Sequence, residues 1–86
     1  QSNDDRLLVG ASEVLLADYK TNRPAPTDLP SIPKNYKRQL AFYRALLQRI
    51  YPGRNVRAAL VFTEIPLLLE IPADMLDAEL ATLTSG

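Results

Sequence analysis

Four prolines lie within one short segment in the first half of the chain, and they restrict what that segment can form. They are Pro24, Pro26, Pro30 and Pro33. Proline lacks a backbone N–H and fixes φ, so neither a helix interior nor a central strand runs through such a segment. The sequence therefore predicts an extended loop without regular structure over residues 22–33.

Two apolar segments before the loop predict a β-hairpin. The strands are expected over residues 6–9 and 13–20, with a turn at Gly10-Ala11-Ser12 between them. Closing the hairpin over this turn places Leu7 opposite Leu16 and Asp5 opposite Asp18. Side chains of a strand alternate between faces, so Asp18 and Lys20 point one way and Tyr19 points the other.

After the loop the pattern changes to that of an amphipathic helix. Apolar residues recur at steps of four and three from Lys34 to Tyr51, and Pro52-Gly53 ends the segment. Strands are predicted over residues 56–63 and 67–71, followed by a terminal helix that opens at Pro72. The predicted order is β-β-α-β-β-α in one α/β domain with a mixed, mostly antiparallel sheet. Residues 1–3 resemble the remnant of an expression tag and are left out of this order.

Charge is distributed unevenly, although the formal net charge is zero. Residues 19–63 contain nine basic residues and one acidic residue and carry +8, whereas residues 1–18 carry −3 and residues 64–86 carry −5. A basic centre suits a polyanionic partner, and a solvated basic helix face would produce the same pattern. No apolar run is long enough to span a membrane, and no segment reads as a signal peptide.

The facing carboxylates of Asp5 and Asp18 are the strongest candidates for chemistry. The chain has no Cys and no His, so thiolate nucleophiles, disulfides and histidine acid–base chemistry are excluded. Two carboxylates on an otherwise apolar hairpin repel each other, and a divalent cation such as Mg²⁺ removes that cost. Lys20 on the same face could orient water or stabilise charge on a phosphate. An ordinary surface pair between Asp and Lys side chains explains the same residues without a metal.

Three segments resemble the PD-(D/E)xK nuclease domain of AddA/RecB-type helicase–nucleases. They are Asp5-Arg6-Leu7, the string from Val14 to Arg23 that contains Asp18-Tyr19-Lys20-Thr21-Asn22-Arg23, and Tyr36-x-x-Gln39-Leu40-x-x-Tyr43. The string Tyr51-Pro52-Gly53-x-x-Val56-Arg57-Ala58-Ala59-Leu60 is similar to the AddA branch in particular. The resemblance covers nearly the whole chain and implies a restriction-endonuclease-like core.

The resemblance also implies roles for individual residues. Asp5 and Asp18 would be metal ligands, the Tyr19 backbone carbonyl a third ligand, and Lys20 the catalytic lysine. Gln39 and Tyr43 match the helix motif that supports the site in this family, and plain core packing is an equal explanation for Tyr43. Basic side chains would hold DNA through its phosphates. These are Arg23, Lys34, Lys37 and Arg38.

The function implied is that of a Mg²⁺-dependent DNA exonuclease, with Mn²⁺ able to substitute, which processes double-strand breaks for recombinational repair in the bacterial cytoplasm. Single-stranded ends from unwound duplex would be the substrate, and an AddB-like subunit the partner. The alternatives are a catalytically inactive domain that only binds DNA or a partner subunit, and a structural module that does not bind phosphate.

The chain departs from the family at its start. Asp4 stands where the family has an apolar residue, and the family's upstream helix and strand, which supply a further acid or His, are not in this sequence. Residues 4–86 are therefore expected to be the C-terminal part of a nuclease domain that is inactive alone. With no phosphate-binding loop in this sequence, the helicase motors are expected elsewhere. Self-association is expected through an exposed sheet edge and helix face around Leu7, Val9, Leu40 and Leu47.

Overall fold

The computed structural model describes residues 4–21, 26–64 and 67–84. It contains four strands, one short 3₁₀ helix and two α-helices. Their bounds are β1 (Asp4–Val9), β2 (Glu13–Lys20), the 3₁₀ helix (Leu29–Ser31), α1 (Lys34–Ile50), β3 (Asn55–Phe62), β4 (Leu67–Ile71) and α2 (Ala73–Thr84). The predicted order of strands and α-helices is confirmed, and β1 begins two residues earlier than expected.

The four strands form one mixed sheet in the order β1-β2-β3-β4. Strands β1 and β2 are antiparallel, as are β3 and β4, whereas the central strands β2 and β3 are parallel. Parallel neighbours need a crossover connection, and α1 supplies it. The hairpin register predicted from the turn is confirmed, with Leu7 opposite Leu16 and Asp5 opposite Asp18.

Helix α1 is delimited by proline and glycine. Pro33 occupies the position before the first helical residue, and its carbonyl accepts the N–H of Tyr36 at 3.0 Å. At the other end the Tyr51 N–H donates to the Leu47 carbonyl at 2.8 Å. Gly53 then adopts φ of +84°, a conformation that costs other residues energy because of their Cβ atom.

The core lies between one face of the sheet and the two helices. Alternate residues of β3, including Ala58, Leu60 and Phe62, are fully buried there against Leu40 of α1 and Leu76 of α2. Both helices contribute to the same cluster of buried side chains, so they cover the same face of the sheet. That face also carries Asp5, Asp18 and Lys20, because these residues share the parity of the buried positions Leu16 and Leu60.

Two expectations about the exposed surface are only partly right. Leu7 and Val9 are exposed, at 42% and 47%, as expected for an open sheet edge. Leu40 was expected on an exposed helix face and is fully buried, because that face of α1 packs on the sheet and on α2. Leu47 is half-buried for the same reason. The apolar residues that α1 does expose are Phe42, Leu46 and Ile50.

The described part of the predicted loop, residues 26–33, is more ordered than expected, and residues 22–25 lie outside the described residues. Asp28 accepts a hydrogen bond from the Ser31 N–H at 3.1 Å and caps the 3₁₀ helix that follows it. Proline is tolerated in the first turn of a helix, where its missing N–H has no partner to lose. Ile32 is 3% exposed and belongs to the core, so the end of the loop is anchored.

Candidate active site

Asp5 and Asp18 face each other across β1 and β2, but their environments differ strongly. Asp18 lies on a central strand beside Leu60 of β3 and is 1% exposed, whereas Asp5 lies on the edge strand and is exposed. A buried carboxylate on a central strand is costly unless it is paired. The pair is therefore one fixed, buried acid and one accessible acid beside it.

The electrostatic environment of Asp18 disfavours its ionised form. Burial is the largest cause, and together with the neighbouring Asp5 carboxyl it raises the pKa of Asp18 from 3.8 to about 6 against the opposing effect of Lys20. Asp18 Oδ1 is buried and accepts no hydrogen bond from the described residues. An acceptor oxygen in this position calls for a proton or a cation. Asp5 and Asp18 together therefore suit the binding of a divalent cation.

Lys20 is the charge partner of Asp18. Its Nζ lies 3.2 Å from Asp18 Oδ2 and 4.5 Å from the centre of the Tyr36 ring, and the residue is 2% exposed. A cation over an aromatic face is attracted by the ring's π electrons. Lys20 therefore lies in a closed niche of carboxylate and aromatic ring. The alternative of an ordinary surface pair does not describe these two side chains, since both are buried.

The backbone carbonyl of Lys20 is held by Thr63, the first residue after β3. Both the N–H and the hydroxyl of Thr63 donate to the Lys20 carbonyl, at 3.0 and 3.3 Å. Sequence reasoning did not assign Thr63 or Tyr36 to the site. Tyr36 lies within the helix motif that carries the family resemblance, but the resemblance assigned no role to it. Thr63 offered no signal, because its contact depends on the parallel pairing of β2 with β3.

Gln39 and Tyr43 lie one helical turn apart, as predicted, and interact. Gln39 Nε2 donates to the Tyr43 hydroxyl at 3.4 Å, and both residues are half-buried. Tyr43 packs against the core and also lines an apolar groove of about 220 Å³ between β1 and α1. Asp5 lines the same groove. Tyr43 of the helix motif therefore lies on the same groove as the exposed Asp5 carboxylate. It also contributes to core packing.

The basic residues assigned to DNA are not equally available. Lys34 is exposed and Lys37 half-buried. Arg38 lies 3.5 Å from Glu79 of α2, with its Nε buried. Arg23 lies outside the described residues.

The uneven charge of the sequence is partly cancelled in the fold. Arg44 of α1 binds Asp77 of α2 at 2.7 Å, and Arg57 of β3 binds Glu70 of β4 at 2.6 Å. Arg57 also approaches Glu13 of β2 at 3.4 Å. The acidic ends of the chain therefore pair with its basic centre, and the charge count overstated the surface offered to a polyanion.

Among the described residues, no group of three or more His, Cys, Asp or Glu side chains is placed to hold a metal ion. A cation at Asp5 and Asp18 would need backbone, water or substrate oxygens as further ligands. No helix within the described ranges is long and apolar enough to cross a membrane.

Comparison of the chain with protein families, with curated proteins and with solved structures finds no match.

Proposed function

We propose that this chain belongs to a Mg²⁺-dependent DNA nuclease of the PD-(D/E)xK type, with the restriction-endonuclease-like core that the motif resemblance implies. In this proposal it is the C-terminal part of the nuclease domain of an AddA/RecB-type helicase–nuclease in the bacterial cytoplasm. The observation that carries the proposal is the buried Asp18 carboxylate. One of its oxygens binds Lys20, the other accepts no hydrogen bond from the described residues, and Asp5 faces it.

The two aspartates would contribute differently to the site, because Asp18 is buried and Asp5 is exposed. Asp18 is held in place by the sheet and by Lys20, so it offers a fixed oxygen at no further cost in side-chain ordering. Asp5 is exposed and can adjust to a ligand. The Tyr19 carbonyl would complete the protein's share of the ligands, and Mn²⁺ could substitute. Bound there, Mg²⁺ would supply an activated water and stabilise charge on the phosphate.

Lys20 serves this site in two ways. Its positive charge opposes the rise in the pKa of Asp18 and so favours the ionised carboxylate. A bound cation requires this ionised form. Its Nζ lies at the same carboxylate, where a phosphate oxygen bound near Asp18 would come within reach. Gln39 and Tyr43 would support the accessible side of the site, since Tyr43 binds Gln39 and lines the groove that Asp5 also lines.

The DNA strand would approach along the first half of α1. Lys34 and Lys37 lie there and are at least partly accessible, so they are the described residues best placed for phosphate contacts. Single-stranded ends suit this surface, because contacts from these two lysines to phosphates give binding that depends on salt rather than on base sequence. An AddB-like subunit is the partner that the family resemblance implies.

A second function is favoured by the burial of Lys20. A lysine that is 2% exposed and engaged by Asp18 and Tyr36 is also what a catalytically inactive domain would contain, with DNA or a partner subunit bound elsewhere. Such a domain would cut no single-stranded DNA, and any DNA that it bound would be bound equally well with and without Mg²⁺.

The test is cleavage by the full-length protein that carries this segment. Lys20→Met keeps the length of the side chain and removes its charge, and it is expected to abolish cutting of labelled single-stranded DNA while unwinding continues. Arg49→Met, on the exposed end of α1, is the matched control and should cut normally. Cleavage by Lys20→Met within a few-fold of wild type would contradict the proposal, as would metal-independent cutting.

A further inference from the structure

Tyr36 connects the first turn of α1 to the candidate site. Its N–H donates to the Pro33 carbonyl at 3.0 Å, and its side chain is 8% exposed and belongs to the core. A side chain in a close-packed core is held in one rotamer, because there is little free volume for another. The Tyr36 ring is therefore a fixed surface at the carboxyl end of β2, where Lys20 lies.

Lys20 lies between this ring and Asp18. Its Nζ is 4.5 Å from the centre of the Tyr36 ring and 3.2 Å from Asp18 Oδ2. The lysine stem is flexible, so an ammonium held by a carboxylate alone could move from one oxygen to the other. The second contact comes from a different element, α1, and attracts the same charge. Together the two contacts restrict the ammonium more than either does alone.

The position of Lys20 decides which oxygen of Asp18 a cation can use. Oδ2 is engaged by the ammonium, whereas Oδ1 is buried and accepts no hydrogen bond from the described residues. Two cations on the same buried oxygen would repel each other strongly, because the surroundings screen their charges less than water does. Oδ1 is therefore open to a metal ion only while Lys20 stays at Oδ2.

We propose that Tyr36 is a positioning residue for the cation site, which holds the Lys20 ammonium at Asp18 Oδ2 and so leaves Oδ1 to the metal ion. Tyr36 acts through Lys20 and is not itself a ligand. This inference rests on the proposed function, since it takes the Asp5–Asp18 pair as a cation site. It adds that an aromatic ring of α1 helps to set the affinity of that site.

Removing the ring is expected to weaken the site through Lys20. In Tyr36→Leu the side chain stays apolar, but the ammonium loses the ring and can occupy either oxygen of Asp18. The ammonium then competes with a metal ion for Oδ1. Tyr36→Phe keeps the aromatic face and should retain the wild-type arrangement, because the π electrons of the ring attract the cation.

Tyr51 and Arg54 provide a matched control. The Arg54 guanidinium lies 5.3 Å from the centre of the Tyr51 ring, at the C-terminal end of α1. Tyr51→Leu removes the same ring from a contact of the same kind, at the opposite end of the helix from Tyr36. It should therefore leave the affinity for a metal ion unchanged.

The test is calorimetric titration of the chain with Mn²⁺ at pH 8, with circular dichroism to establish that each variant folds. Tyr36→Leu is expected to bind Mn²⁺ about fivefold more weakly than wild type, whereas Tyr36→Phe and Tyr51→Leu stay within about twofold. The same change is then made in Lys20→Met, which has no ammonium to position. In that background Tyr36→Leu should have no further effect. A purely structural role of Tyr36 would weaken binding equally in both backgrounds.

Equal Mn²⁺ affinity of wild type and Tyr36→Leu would overturn this inference and leave the proposed cation site standing. So would a loss in Tyr36→Leu that persists in the Lys20→Met background, or an equal loss in Tyr51→Leu. Absence of Mn²⁺ binding by wild type would overturn the proposed cation site and this inference with it. If Tyr36→Leu does not fold, Tyr36→Met, which is unbranched and also lacks a ring, takes its place in both backgrounds.

Discussion

Replacing Asp18 with asparagine is expected to stabilise the metal-free protein at neutral pH and to have little effect in acid. Asparagine has nearly the shape of the protonated acid, so it imitates the form that the buried site prefers. The pKa of Asp18 lies at about 6 in the folded protein and at 3.8 when the group is unperturbed. The folded state therefore holds this proton more tightly than the unfolded state does.

The sign and size of the effect follow from that difference. Below about pH 4 Asp18 is protonated in both the folded and the unfolded protein, so it does not lower the unfolding free energy. As the pH rises from about 4 to about 6, the unfolded protein releases this proton more readily than the folded protein, and the unfolding free energy falls. Above about pH 6 the loss is constant. A tenfold difference in proton affinity is worth about 1.4 kcal/mol, so the full cost is about 3 kcal/mol. Side-chain relaxation reduces this, and a gain of roughly 2 kcal/mol is expected for Asp18→Asn at pH 8.

The assay is urea unfolding in EDTA between pH 4 and pH 8, followed by circular dichroism. Asp28→Asn is the matched control, because it removes an exposed carboxylate and retains the oxygen that accepts the Ser31 N–H. The gain from Asp18→Asn should grow with pH, and the control should show no such growth. A gain that does not change with pH, or a loss of stability at pH 8, would refute the reasoning about Asp18.

Two further predictions concern the scaffold. Arg44→Met should lower the unfolding free energy by roughly 2–4 kcal/mol in urea titrations, because the buried guanidinium donates to the Val56 carbonyl at 2.8 Å and binds Asp77. Asp77→Asn changes the exposed end of the same contact and should lower the unfolding free energy by less than about 1 kcal/mol. An equal loss in both variants would mean that the link to Val56 contributes nothing. Gly53→Ala should cost about 1 kcal/mol by the same measurement, since φ at this residue is +84° and space around it is open; an unchanged midpoint would show that the turn adapts without strain.

The local features of this fold could be predicted from the sequence. The register of Asp5 with Asp18 follows from a short turn and the two-residue period of strands, and the Gln39–Tyr43 contact follows from the helical period. The bounds of α1 follow from Pro33 and from Pro52-Gly53. Each of these depends on residues near one another in the chain.

Features that depend on distant segments were missed. The burial of Asp18 and Lys20 requires the parallel pairing of β2 with β3, and no residue near 18 identifies β3 as the neighbouring strand. Leu40 is buried because α1 also packs against α2. The burial of Arg44 was missed for the same reason. A basic residue on α1 indicates a solvated face, and only the fold brings the Val56 carbonyl and the Asp77 carboxylate to its guanidinium.

Mn²⁺ titration of the chain, by calorimetry at pH 8, tests most directly whether the Asp5–Asp18 pair is a cation site. At this pH Asp18 is largely ionised, because its pKa is about 6. Wild type and Asp28→Asn are expected to bind one Mn²⁺ that Mg²⁺ displaces, Asp5→Asn to bind it more weakly, and Asp18→Asn to show no binding at this site. Identical titrations of wild type and Asp18→Asn would contradict the assignment of the buried carboxylate as a metal ligand.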